Sequence, residues 1–185
     1  TIYNQDGTPE NYRFLEGSDR ITNALPVLEA FDAAFILDCS ELERVGREAE
    51  KIAAIPCLVN IDHHFSNGGF CETRLIDPQA SSTGELICRL KAYMGFAATR
   101  EIATCLYTAI LTDTGGFRYA NTGKETLLAA AGLVADGANP QWISENVYEM
   151  NPPARIRLLS AVLPTLTIDE GGRVNELHRD GVVDR

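Results

Sequence analysis

The stretch Cys57-Leu58-Val59-Asn60-Ile61-Asp62-His63-His64 decides how this chain folds. Its first five residues form a short, mainly apolar run of the kind that makes a buried strand. Three ionisable residues in a row do not help a strand bury itself. Asp62-His63-His64 therefore marks the place where the strand leaves its sheet and presents side chains to a site. Asp38 closes a second run, Ala33-Ala34-Phe35-Ile36-Leu37, in the same way. Continuous runs, as opposed to alternating ones, predict parallel strands covered on both faces. In an open parallel sheet, ligands bind beyond the carboxyl ends of the strands, which is where Asp38 and Asp62-His63-His64 fall.

Outward from these strands, helices take over. Thr1–Tyr3 reads as a short strand before the turn Asn4-Gln5-Asp6-Gly7, and residues 8–26 read as irregular chain with a short helix. Leu42–Ile52 reads as a charged surface helix. Ser82-Thr83-Gly84-Glu85 has the form of a capping box, followed by Leu86, Leu90 and Tyr93/Met94 at helical spacing. A further helix starts at Thr99, carries Ile102, Leu106 and Ile110 on one face, and stops at Gly115-Gly116. Thr122-Gly123-Lys124-Glu125 reads as a second capping box. Asn139-Pro140 and Asn151-Pro152 read as N-caps with proline at the first helical position. Leu166–Ile168 and Arg173–Leu177 read as a hairpin across Asp169-Glu170-Gly171-Gly172. Strands alternating with helices, then a helix-rich second half, predict an α/β domain with a mainly parallel sheet flanked by helices.

At 185 residues the chain suffices for one domain with a sizeable core. No apolar stretch approaches the roughly 18 residues of a membrane span, and residues 1–20 are polar and turn-rich, unlike a signal peptide. A net charge of −10 repels nucleic acid as a whole, so a nucleotide would be held by a local pocket and by metal. The five cysteines show no CxxC spacing. Cys39, Cys57, Cys88 and Cys105 lie in or beside apolar runs and read as small buried hydrophobes in a reducing cytoplasm.

Asp113 is the third candidate carboxylate. It continues the apolar face of its helix and so reads as pointing inward. It lies in the last helical turn, where the helix dipole disfavours negative charge by roughly 0.3–1 kcal/mol. A buried carboxylate also needs a cation, and no nearby Lys supplies one. Any one of these residues alone has an ordinary reading, as a turn, a cap or a solvated loop. Together, carboxylates and imidazole at element ends suit a divalent ion such as Mn2+ or Mg2+ and point to metal-dependent hydrolysis of phosphate esters.

The residues also resemble a known family. Asp62-His63-His64 is similar to the motif that names the DHH phosphoesterase superfamily. Asp38 in Ile36-Leu37-Asp38-Cys39-Ser40-Glu41-Leu42-Glu43-Arg44-Val45-Gly46 resembles its second motif, and Asp113 in Leu111-Thr112-Asp113-Thr114-Gly115-Gly116-Phe117 resembles its fourth. Asp77-Pro78-Gln79-Ala80-Ser81-Ser82-Thr83-Gly84-Glu85, with Arg118-Tyr119 and Asn121-Thr122, is similar to the branch of bifunctional oligoribonuclease/3′-phosphoadenosine-5′-phosphate (pAp) phosphatases. The resemblance covers roughly residues 30–165.

It implies a cytoplasmic hydrolase with a two-Mn2+ site, Mg2+ or Co2+ serving as substitutes, that cleaves short oligonucleotides or pAp by metal-activated water. Asp38 would bridge the ions, and His63 and Asp113 would bind one of them. His64 would contact the scissile phosphate or steady the site, and Asp62 would orient a histidine. Arg118 would hold a phosphate or base. Ser81 and Thr83 would meet a phosphate at a helix N-terminus, with Ser82 serving as the cap. The competing activities are a cyclic dinucleotide phosphodiesterase, an inorganic pyrophosphatase and a single-strand exonuclease. A non-catalytic binding domain with a degraded metal site is the alternative of another class. The branch tends towards homodimers.

Two departures stand out. The family's first motif, a histidine followed by an Asp-x-Asp pair, has no counterpart here: no histidine precedes His63 and no Asp-x-Asp occurs. The expected organisation is therefore an N-terminally incomplete DHH domain over residues 1–165. Residues 166–185 would be a hairpin or linker leading to a C-terminal substrate-binding domain absent from this chain. His178 receives no role.

Overall fold

The computed structural model describes residues 1–26, 31–149, 153–168, 171 and 174–176. Its centre is a three-stranded parallel sheet of β3 (Ala33–Leu37), β4 (Cys57–Asp62) and β5 (Thr73–Ile76), in the order β3-β4-β5. Leu37 pairs with Ile61 and Asp62 with Ile76, so the carboxyl ends of all three strands lie side by side. A separate parallel pair joins β1 (Ile2–Tyr3) and β2 (Ile21–Thr22). Helices α2 (Thr83–Tyr93), α3 (Arg100–Asp113), α4 (Lys124–Ala135), α5 (Pro140–Ser144) and α6 (Pro153–Val162) follow the sheet, after a short α1 (Ala49–Ala53) that precedes β4. This is the α/β architecture expected from the sequence. The hairpin also forms, as β6 (Thr167–Ile168) antiparallel to β7 (Val174–Glu176). The Asn151-Pro152 cap and His178 lie outside the described residues. No described helix is long and apolar enough to cross a membrane.

Helix α2 packs on the sheet through Leu86, which meets Ile61 and Ala80. Helices α3 and α4 build the largest core around Ala103, Tyr107, Ile110 and Leu133. The approach of α2 to α3 depends on Gly84, where an added Cβ would stand 2.9 Å from the Ala109 Cβ. Ser82 caps α2, its Oγ accepting from Glu85 N, and Thr99 caps α3 by accepting from Ile102 N. Asn139 caps α5 ahead of Pro140.

Several expectations need correction. β3 is not covered on both faces: Ile36 is buried, but Phe35 is 67% and Leu37 48% exposed, because β3 is the edge of its sheet and α2 covers that face over the neighbouring β4, at Val59 and Ile61. The helix expected over Leu42–Ile52 breaks into a 3-10 turn, Leu42–Val45, and α1. Gly46 separates them at φ +90° with the Gln5 side chain packed where a Cβ would stand. The expected box at Thr122 shifts by one residue: Gly123 is the cap, and Thr126 Oγ1 accepts from its N–H. In α2 only half of the box forms, because the Glu85 carboxylate takes the N–H of Ser81 and not that of Ser82. Cys71 and Cys88 are buried, but Cys57, the first residue of β4, is exposed; all five cysteines are unpaired.

Candidate metal centre

The Ala33–Leu37 ladder extends one step past its end, since Asp38 N donates to Ile61 O at 3.0 Å. The backbone then turns sharply: Asp38 sits at φ +60°, a left-handed conformation that costs a non-glycine residue on the order of 1 kcal/mol and that clusters at functional sites. The turn brings the Asp38 carboxylate over the neighbouring β4 end. There His63 Nε2 lies 3.6 Å from Asp38 Oδ1 and 3.1 Å from Asp113 Oδ2. Asp113 arrives from the C-terminal end of α3. Contrary to the inward-pointing expectation, its side chain is 39% exposed and opens onto this cluster. The helix that was expected to bury it ends at Asp113 itself.

The surroundings orient each donor. His63 Nδ1 lies 3.2 Å from the Ala80 carbonyl. A carbonyl only accepts, so Nδ1 carries a proton, and in the neutral ring the lone pair sits on Nε2, towards the two carboxylates. Thr83 Oγ1 donates to Asp38 Oδ1 at 2.7 Å. Asp62 has no exposed surface and accepts from His64 Nδ1 at 2.7 Å, from Asn67 Nδ2 at 2.6 Å and from the His63 N–H at 2.8 Å. Burial would raise the Asp62 carboxyl, but the bonds from Asn67 and His64 outweigh it and hold the group below the ordinary carboxylate value. Asp113 shifts the other way: partial burial and the Asp38 carboxylate push it up, and the two histidines only partly offset them.

Asp38, His63 and His64 each offer a donor atom within 4.8 Å of the others, and Asp113 joins through His63. Oxygen and nitrogen ligands stand about 2.1 Å from a small divalent ion, which sets neighbouring ligands of an octahedral ion about 3 Å apart. The His63–Asp113 and His63–Asp38 separations are of that order. Carboxylates that repel one another, with an imidazole lone pair aimed at them, fit a divalent cation.

The segment that feeds this centre is itself braced. Glu85, fully enclosed, accepts from Ser81 N, Ser81 Oγ and Thr126 Oγ1 and pairs with Arg89, which also bonds Asp77. Asn121 Nδ2 donates to the carbonyls of Ser81 and Asp113, tying that segment to the end of α3.

The structure thus brings together Asp38, Asp62, His63, His64, Asp113 and Thr83. Two expected substrate contacts look different. Ser81 has no exposed surface and spends its hydroxyl on Glu85, so it braces the segment from inside and does not face a ligand. Thr83 directs its hydroxyl to Asp38 and so orients a candidate metal ligand. Arg118 is exposed, its Nε donating to the Gly115 carbonyl at 2.6 Å, with no bond to the cluster. Asn60, Asn67 and Glu85 were missed as supports. The signal for Asn60 was its amide inside an otherwise apolar strand, which only a hydrogen-bonding task justifies.

No protein-family model matches the chain. The chain is 33% identical over 171 residues to the bifunctional oligoribonuclease and PAP phosphatase NrnA of Thermus thermophilus, covering 92% of this chain and 51% of that protein. It is 25% identical over 172 residues to the Bacillus subtilis protein of the same name, covering 90% of this chain and 52% of that one. A crystal structure of an exopolyphosphatase-related protein from Bacteroides fragilis is similar with a TM-score of 0.79 and 30% identity, covering 87% of this chain and 50% of that one. The chain spans about half the length of the curated relatives it matches. With its three spaced motifs meeting at one centre, the chain belongs to the DHH phosphoesterase superfamily, in the branch of bifunctional oligoribonuclease/pAp phosphatases.

Proposed function

We propose that this chain forms the catalytic domain of a divalent-metal-dependent phosphoesterase whose substrates are short oligonucleotides, pAp or both, with Mn2+ as the expected ion and Mg2+ or Co2+ as alternatives. The observation that carries this reading is the His63 ring. Ala80 fixes its tautomer, and Nε2 faces Asp38 and Asp113 at the carboxyl ends of parallel strands. In this reading Asp38, His63 and Asp113 hold the ion. Bound there, the ion would supply Lewis-acid stabilisation of the phosphoryl oxygens and activation of a water for in-line attack. Asp38 would also bridge a second ion; the family's further ligands come from a His…Asp-x-Asp motif, which these 185 residues do not contain.

The protein residues do the positioning. Thr83 holds the Asp38 carboxylate in one rotamer. Asp62 holds the His64 ring at the rim of the centre, where His64 meets the scissile phosphate. Arg118, steadied by Gly115, binds a further phosphate or the base. A cytoplasmic location belongs to the same reading and is supported by the five unpaired cysteines. The test is product release from pAp, a 5′-phosphorylated dinucleotide, a cyclic dinucleotide and pyrophosphate in Mn2+. The first two should turn over fastest. Preference for pyrophosphate or for the cyclic dinucleotide would overturn the substrate assignment.

A further inference from the structure

Two side-chain amides lie beneath the metal centre, and the proposed chemistry does not use them directly. Asn60, in the middle of β4, has no exposed surface. Its Nδ2 donates to the carbonyls of Ile36 and Cys39, each at 3.2 Å. Those carbonyls bracket Asp38, the residue with the left-handed backbone. Asn67 sits in the turn that follows His64, closed by Asn67 N donating to His64 O at 3.1 Å. Its Oδ1 accepts from Gly69 N at 2.8 Å, which settles which end of the amide is the donor. Its Nδ2 is shared among Asp62 Oδ2 at 2.6 Å, Asn60 Oδ1 at 2.9 Å and the Cys39 carbonyl at 3.2 Å.

We infer that the bonded amide pair Asn60–Asn67 is the positioning element that holds the Asp38 carboxylate and the Asp62-His63-His64 turn in register for metal binding. The inference rests on the metal-centre reading above and assigns the two amides a role within it. Asn60 ties down the carbonyls on either side of Asp38, and Asn67 holds Asp62, which holds His64. Because the two amides bond each other and share the Cys39 carbonyl, the two strand ends cannot shift independently. A purely structural amide would bridge loops without bonding the flanks of one candidate ligand and the carboxylate that orients another.

The test is a direct Mn2+ binding isotherm, read from the free-ion EPR signal, for the parent protein, Asn67→Ala and Ser66→Ala, beside kcat and KM for pAp. Asn67→Ala should weaken Mn2+ binding by about 10–100-fold and lower kcat by a similar factor, the usual cost of losing a partner behind the ligands. KM should stay within about threefold, and Ser66→Ala, on the exposed side of the same turn, should match the parent. Mn2+ binding within twofold of the parent in a folded Asn67→Ala protein overturns the inference. If Asn67→Ala does not fold, Asn67→Leu, of similar volume but with no donor, is read against the same limits. A parent that binds Mn2+ but hydrolyses nothing sinks the substrate reading while the binding ratio still decides this inference. A parent that binds no Mn2+ sinks both.

Discussion

His63 donates from Nδ1 to the Ala80 carbonyl 3.2 Å away, and this one bond leaves Nε2 of the neutral ring facing the Asp38 and Asp113 carboxylates. Ala80 is placed by the turn that follows β5, where Ala80 N donates to Asp77 O at 3.1 Å. The strand beside β4 therefore sets the tautomer of the residue that ends β4.

Asp113→Asn removes a charge that faces His63 Nε2. It should lower Mn2+-dependent hydrolysis by at least about a hundredfold, the upper end of what altered metal-site residues cost. Circular dichroism should stay native, because Asp113 is partly exposed and its carbonyl keeps the bond from Asn121. A rate near that of the parent removes Asp113 from the centre.

Thr83→Val keeps the shape of a buried side chain but deletes the donor to Asp38 Oδ1. Activity should fall about 10–100-fold, with thermal stability changing little. A large loss of stability with activity per folded molecule unchanged would make Thr83 structural only.

Glu85→Gln should destabilise the fold by about 2–3 kcal/mol, since it disrupts a buried carboxylate that accepts from Ser81 and Thr126 and pairs with Arg89. Burial would raise this carboxyl, but its hydrogen bonds win and hold it below the ordinary value. A depressed folded pKa gives stability that is present above the unfolded value, about 4.3 for Glu, and lost as pH falls through the lower folded value. The parent should therefore lose urea resistance below about pH 4 more steeply than Glu85→Gln. Parallel pH profiles for the two proteins would contradict the assignment.

Gly84→Ala places a methyl 2.9 Å from the Ala109 Cβ, where α2 crosses α3. Overpacking of this kind costs about 1–3 kcal/mol, which lowers the melting temperature by about 2–4 °C per kcal/mol at this size. An unchanged melting temperature would mean that the helices separate freely, leaving the α2 N-terminus less firmly held than described.

The parts of the fold that were legible from the sequence are those where one local signal decides. The runs ending in Asp38 and Asp62 gave two parallel strands, Ser82, Thr99 and Asn139 gave caps, and the order of motifs gave the family. β5 was missed because Thr73-Arg74-Leu75-Ile76 is short and mostly exposed, so neither an apolar run nor a buried face announces it. The exposure of Phe35 and Leu37 could not be read locally either, since edge position is a property of the whole sheet. Asp113 misled because the helical period that puts it below Ile110 says nothing of where the helix ends relative to its neighbours. At the centre, the ligand candidates were visible as charged residues at strand ends. The Asn60–Asn67 pair and the Glu85 brace were not, because their role comes from backbone carbonyls and hydroxyls distant in sequence.

On the proposed function, divalent metal held by Asp38, His63 and Asp113 drives phosphate-ester hydrolysis. The most direct test is release of phosphate from pAp by the protein in Mn2+, after chelation, and after Mn2+ is restored. Chelation should abolish turnover and restored Mn2+ should recover it, with the fold unchanged throughout. Hydrolysis that survives chelation, or none with Mn2+ present, contradicts the proposed function.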